Sequence, residues 1–116
     1  SRIKRIISVS GLSDLARSYE EREDTRDMLN RYIGCTPWED PSQYEKRSAI
    51  CWYDEIQIPV LIIHSTGDEQ VSYKQAEELY KKMKDTTDCT LVTHKDSIHG
   101  LHSDDIKTIN EWLNKK

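Results

Sequence analysis

The run Ile58-Pro-Val-Leu-Ile-Ile-His64 constrains the fold more than any other stretch of this chain. It is free of charge in a sequence that is 33% charged and 35% hydrophobic. A strand with one wet face alternates polar and apolar side chains. An unbroken apolar run is what a strand covered on both faces shows, and such strands belong to parallel sheets packed between helices. The flanking segments fit that setting. Ile3, Ile6, Ile7 and Val9 are β-prone and stop at the turn-forming Ser10-Gly11, and residues 89–94 form a further strand rich in Thr and Val. Ser72-x-x-Gln75 is a capping box opening a helix whose Ala76, Leu79, Tyr80 and Met83 recur at helical spacing. Asp104 begins a last helix with Ile106, Ile109 and Leu113 on one face and Trp112 at its edge. Strand, helices, strand, helix, strand, helix predicts an α/β fold of about three parallel strands with flanking helices and right-handed crossovers.

Residues 13–34 read as two helices. Ser13 caps the first, and Gly34 closes the second, which carries Met28, Leu29, Tyr32 and Ile33 on one face. Residues 35–57 are looser, with Pro37 and Pro41 as breakers and Ser42 with Glu45 as a capping box for a short helix. The expected organisation is one partial domain over residues 1–116. Within it, residues 12–56 form a lid-like helical insertion and residues 57–116 a βαβα segment.

Several functions are disfavoured by composition. A net charge of −4 with scattered Lys and Arg argues against a nucleic-acid partner. The longest apolar run is far too short to span a bilayer, so no membrane role is expected, and no signal-like segment opens the chain. Cys35, Cys51 and Cys89 are odd in number and widely spaced, which suits a reducing compartment and predicts a cytoplasmic protein. No Cys-x-x-Cys or His-x-x-x-His pairing exists, so neither a metal nor a cofactor is expected, and the three cysteines read as small, partly buried apolar residues.

In an open parallel sheet, function collects where the strands end at their C-terminal edge. Two segments lie there: His64-Ser-Thr-Gly-Asp68-Glu-Gln-Val71 after the apolar run, and Asp96-Ser-Ile-His99-Gly100 after the next strand. Asp68 can accept the Nδ1 proton of His99, fixing its tautomer. His99 can then take a hydroxyl proton and return it to a leaving group. Alone, Asp68 is an ordinary turn residue and His99 an ordinary loop histidine; their shared edge is the reason to pair them. His64 reads as a packed, hydrogen-bonded histidine, and His94 and His102 as solvated. Asp96, Asp104 and Asp105 compete for the imidazole, although Asp104 and Asp105 are better explained as charges favoured at a helix N-terminus. The chain contains no Gly-x-Ser-x-Gly. Ser8 and Ser10 end the first strand without the glycines of a nucleophile elbow, and neither Cys51 nor Cys89 stands at a strand-to-helix turn.

A more particular text runs through the whole chain. It comprises Ser10-Gly-Leu-Ser-Asp-Leu15, Pro37-Trp-Glu-Asp-Pro41, Tyr44-Glu-Lys-Arg-Ser48, the run 58–64, Gly67-Asp68, Val71, Gln75-Ala76, Leu79-Tyr80 and His99-Gly100. It resembles the C-terminal part of the catalytic domain of the prolyl oligopeptidase group of serine hydrolases, an α/β-hydrolase fold, with acylaminoacyl-peptidase-like members nearest. The resemblance implies a peptidase or esterase working through an acyl-enzyme on a peptide or small ester. It implies Asp68 as triad acid, His99 as triad base, and a nucleophilic serine with its oxyanion hole upstream of Ser1. Gln70 stands where many oligopeptidases carry arginine, Ser65 where glycine is usual and Ser72 where proline is usual. These departures leave the acid and base in place and weaken peptidase over esterase. Arg47 is expected to form a buried ion pair.

Two other classes compete: a non-catalytic pseudo-hydrolase or α/β interaction module, and an independent flavodoxin-like domain. The latter calls for a phosphate or acidic cluster after the first strand, where only Ser10-Gly-Leu-Ser-Asp14 stands. On the hydrolase reading the chain alone is inactive. Its unpaired edge strand from Ile3 to Val9 predicts a homo-oligomer.

Overall fold

The computed structural model of the chain describes residues 4–115. Three strands, β1 (Ile6–Val9), β2 (Val60–Ser65) and β3 (Cys89–His94), form one parallel sheet in the order β1-β2-β3. Val60 stands opposite both Ile6 and Cys89, and Ile63 opposite both Val9 and Val92. The apolar run is therefore the central strand, and every one of its residues is buried. Because side chains alternate faces, its residues divide between two cores. Val60 and Ile62 pack with Ala76, Leu79 and Met83 of α5 (Tyr73–Met83), whereas Leu61 and Ile63 pack with Trp112 of α6 (Asp105–Leu113). Of the predicted edge strand, Ile3 lies outside the described residues.

Between β1 and β2 lie four helices, α1 (Leu15–Glu21), α2 (Glu23–Ile33), α3 (Pro41–Glu45) and α4 (Ala49–Trp52), followed by a 3₁₀ turn. The first three hold a core of their own, Leu15, Tyr19, Leu29 and Tyr44, whereas Ala49 and Ile50 of α4 pack against the core shared by β2 and α5. In α2 only Leu29 of the predicted stripe is buried, and Tyr32 is 80% exposed. Gly34 closes that helix in the left-handed conformation (φ 88°), which glycine adopts without steric cost.

Buried Gln75 ties this helical unit to α5. Its Oε1 accepts from the backbone N–H groups of Ser13 (3.1 Å) and Asp14 (3.0 Å), and its Nε2 donates to Ser18 Oγ (2.6 Å). This contact revises two predicted caps. Asp14, not Ser13, caps α1, because the Ser13 amide and hydroxyl are both engaged by Gln75. Ser72 does cap α5, accepting from Lys74 N–H, but the Gln75 side chain is committed elsewhere and does not complete a capping box. Asp40 and Pro41 open α3 in place of Ser42, since the fixed φ of proline suits a first helical turn. Arg47 is exposed and hydrogen-bonds the Gln43 carbonyl and side chain, so the expected buried ion pair is replaced by a helix-end contact.

The last helix is rotated from the sequence expectation. Trp112 and Asp105 are buried, whereas Ile106 is 66% and Leu113 41% exposed. Arg5 secures its end by donating to the Leu113 and Lys115 carbonyls and lying over the Trp112 ring. Cys51 is exposed, and Cys35 and Cys89 are partly buried; all three are free thiols.

Candidate active site

The turn after β2 is shaped by Gly67. Its N–H donates to the Asp96 carbonyl at 2.8 Å, and a Cβ at this position would lie 2.9 Å from that oxygen. Only glycine lets the turn approach the loop after β3 this closely without displacement. Asp68 follows, with its side chain fully buried. Its Oδ1 accepts from the N–H groups of Gln70 (2.8 Å) and Val71 (2.9 Å), an Asx-type turn that orients the carboxylate locally. Its Oδ2 lies 2.8 Å from His99 Nδ1. Burial pushes the Asp68 carboxyl up, but hydrogen bonds from Val71 N–H, His99 and Gln70 N–H outweigh it and hold the group below its ordinary value.

The contact assigns the Nδ1–H tautomer to His99 and leaves Nε2 with a free lone pair. The ring is one-third exposed and borders a cavity of about 360 Å³ lined also by Ser10, Leu12, Met28, Gln70 and Val71. A base so oriented can take a proton from a hydroxyl placed at that cavity. Among the described residues, no serine hydroxyl is hydrogen-bonded to His99. Ser10, considered as an internal nucleophile, instead accepts from Gly100 N–H at 3.0 Å.

His64 is buried beneath the pair. Its Nε2 lies 2.8 Å from the Val71 carbonyl and 3.4 Å from Asp68 Oδ2, so it supports the turn that carries the carboxylate. His94 and His102 are not solvated. Their rings stack at 3.7 Å, with His94 Nε2 2.7 Å from Asp105 Oδ1 and His102 Nε2 2.7 Å from Asp96 Oδ2. Asp105 is fully buried and also accepts from His102 N–H, which makes it a structural centre rather than a helix-end charge. Asp104 occupies the N-cap of α6 without a side-chain cap bond. Ligand atoms of His94, His102 and Asp105 all lie within 4.8 Å of one another. Ring planes 17° apart and 3.7 Å between centroids do not meet near either nitrogen, so the two lone pairs cannot converge on one metal ion as the rings stand.

Sequence reasoning named Ser10 and Ser65 but missed the part each plays at the site. Ser65 Oγ donates to the Ile98 carbonyl at 2.8 Å, and Ser10 Oγ accepts from Gly100 N–H, so both act on the backbone beside His99. The unusual serine at position 65 was the available signal.

Comparison with known proteins decides the kinship. The profile of the prolyl oligopeptidase family matches residues 2–116. The chain belongs to the prolyl oligopeptidase family. Within it, the chain is 41% identical over 78 residues to an uncharacterized peptidase, YtmA, of Bacillus subtilis (strain 168), covering 67% of this chain and 30% of the relative. An acylaminoacyl peptidase of Pyrococcus horikoshii superposes with a TM-score of 0.77 at 27% identity, over 86% of this chain and 16% of that one. Another acylaminoacyl peptidase, solved with Z-Gly-Gly-Phe-chloromethyl ketone, gives 0.86 at 24% identity over 98% and 20%, a likeness of fold. The chain thus has an α/β-hydrolase-type architecture and spans less than a third of the length of each of these three relatives.

Proposed function

We propose that this chain supplies the acid and the general base of a serine hydrolase, with the nucleophilic serine and its oxyanion hole upstream of Ser1. The observation that carries the reading is the 2.8 Å contact between buried Asp68 Oδ2 and His99 Nδ1, with the one-third-exposed ring bordering an open cavity. His99 Nε2 takes the serine proton as the hydroxyl attacks a carbonyl, and gives it to the departing amine or alcohol. Water then repeats the cycle on the acyl-enzyme, restoring the serine. Asp68 stays ionised throughout and stabilises the imidazolium. The peptidase names of the relatives support a peptide substrate, with a small ester as the alternative acyl donor.

The chain alone is expected to be inactive, because a carboxylate–imidazole pair lacks the nucleophile and the oxyanion stabilisation that dominate acyl transfer. Fluorophosphonate labelling of the 116-residue chain beside a form extended upstream tests this. Labelling of the extended form only, lost in His99→Ala, is the expected result. Labelling of neither form would favour a non-catalytic module that retains the pair for structure.

A further inference from the structure

The loop between β3 and α6 bears His99 but has little apolar anchorage. Ile98 and Leu101, on either side of the imidazole, are 50% and 58% exposed. The rigidity that a general base requires must therefore come from hydrogen bonds. Those bonds fall on the two peptide groups that flank the His99 Cα. Ser65 Oγ donates to the carbonyl of the 98–99 peptide, and Ser10 Oγ accepts from the N–H of the 99–100 peptide. Holding both peptide planes fixes φ and ψ of His99, and so the direction in which its side chain leaves the backbone.

Both serines are built into the sheet. Ser65 is the last residue of β2 and 1% exposed; Ser10 directly follows β1 and is 5% exposed. Ser10 N–H donates to the Ile63 carbonyl at 2.9 Å, so the two hydroxyls stand on adjacent strand ends at the C-terminal edge of the sheet. The Asp96 carboxylate accepts from Ile98 N–H at 2.9 Å and shapes the turn leading into His99. Ser10 adopts φ 53°, the single non-glycine residue with positive φ among the described residues. An L side chain in the left-handed region is strained, so the fold retains there a hydroxyl that glycine could not supply.

We propose that Ser10 and Ser65 are positioning residues, a pair of strand-end hydroxyls that clamp the backbone on either side of His99 and aim its Nε2. This rests on the serine-hydrolase reading, but the clamp itself has a readout free of turnover.

The test uses the full-length protein with Ser10→Gly, Ser65→Ala and the double variant. Ser10→Gly relieves the strained φ while removing the hydroxyl, so stability and function are expected to move apart. Its melting temperature holds or rises, while kcat falls about tenfold with KM within about twofold. Ser65→Ala is expected to give a similar loss and the double variant about 10²-fold. Imidazole ¹⁵N NMR is expected to show His99 locked as the Nδ1–H tautomer in the parent and exchanging between tautomers in the double variant. A folded Ser10→Gly or Ser65→Ala protein with parental kcat refutes the clamp. If the parent neither labels nor turns over, the hydrolase reading fails, and the NMR alone decides: an unchanged His99 tautomer in the double variant overturns the clamp too.

Discussion

Replacing Gln75 with alanine tests how the helical unit of residues 12–56 is held to the sheet. The side chain is 1% exposed and serves three partners on the other side of the contact: the Ser13 and Asp14 N–H groups and the Ser18 hydroxyl. Alanine leaves all three facing a cavity. An unsatisfied buried donor costs about 1–3 kcal/mol. The Ser13 amide is buried and takes the upper part of that range, the Asp14 amide is part-buried and takes the lower, and Ser18 can turn to the preceding helical carbonyl. The sum is about 3–5 kcal/mol, a large share of the ~5–15 kcal/mol that stabilises a domain. At a urea m-value of about 2 kcal/mol per molar, the unfolding midpoint falls by about 2 M. Hydrogen exchange locates the effect: the Ser13 and Asp14 amides are expected to lose protection before those of β2. A midpoint shift below about 0.5 M, or retained protection at both amides, would refute the reasoning that these bonds join the two units.

Three further outcomes are expected. Asp68 is held below its ordinary pKa of 3.8, so its contribution to stability is complete above that value and is lost as pH falls through the lowered one; acid titration of the unfolding midpoint should show this loss, and Asp68→Asn should abolish it. His102 is raised above 6.5, first by its hydrogen bond to Asp96, so its contribution is complete below 6.5 and fades as pH rises through the raised value. An NMR titration of His102 is expected to return to an ordinary midpoint in Asp96→Asn, and an unchanged midpoint would refute the assignment. In the 116-residue chain alone, the outer edge of β1, unpaired among the described residues and beside partly exposed Ile7, is expected to pair with a second copy, giving a dimer by light scattering as concentration rises; a monomer throughout would exclude it.

How much of this was legible in the chain depends on the kind of constraint. The central strand was legible because burial on both faces leaves an unbroken apolar run, and few other structures produce one in so charged a sequence. The rotation of α6 was not. Stripes through Ile106, Ile109 and Leu113, or through Asp105, Ile109 and Trp112, both satisfy helical periodicity. Hydrophobicity favours the first, whereas the bonds of Asp105 to His94 and His102 fix the second. A buried carboxylate with imidazole partners leaves no periodic trace, so Asp105 resembled a helix-end charge and the two histidines resembled surface residues. The Ser10 and Ser65 hydroxyls escaped for a similar reason, since a serine bonded to a distant backbone has no spacing signature.

The Asp68–His99 pair was more accessible because topology alone nearly brings it together. Ser65 and His94 are register partners at the C-terminal ends of β2 and β3. A residue three positions beyond one strand end and another five beyond its neighbour can meet within a single turn and a short loop. Proximity is thus a property of the parallel βαβ unit, but a hydrogen bond of 2.8 Å is not. That last step needs Asp68 oriented by the N–H groups of Gln70 and Val71, and His99 oriented from outside its own loop. The turn supplies the first from adjacent residues, which is why an Asp in a turn suffices as a motif. The loop cannot supply the second from its exposed Ile98 and Leu101, so that burden falls on the adjoining strand ends and on the His94–Asp105–His102 cluster at its base. A change in either support should therefore move His99 before it moves Asp68.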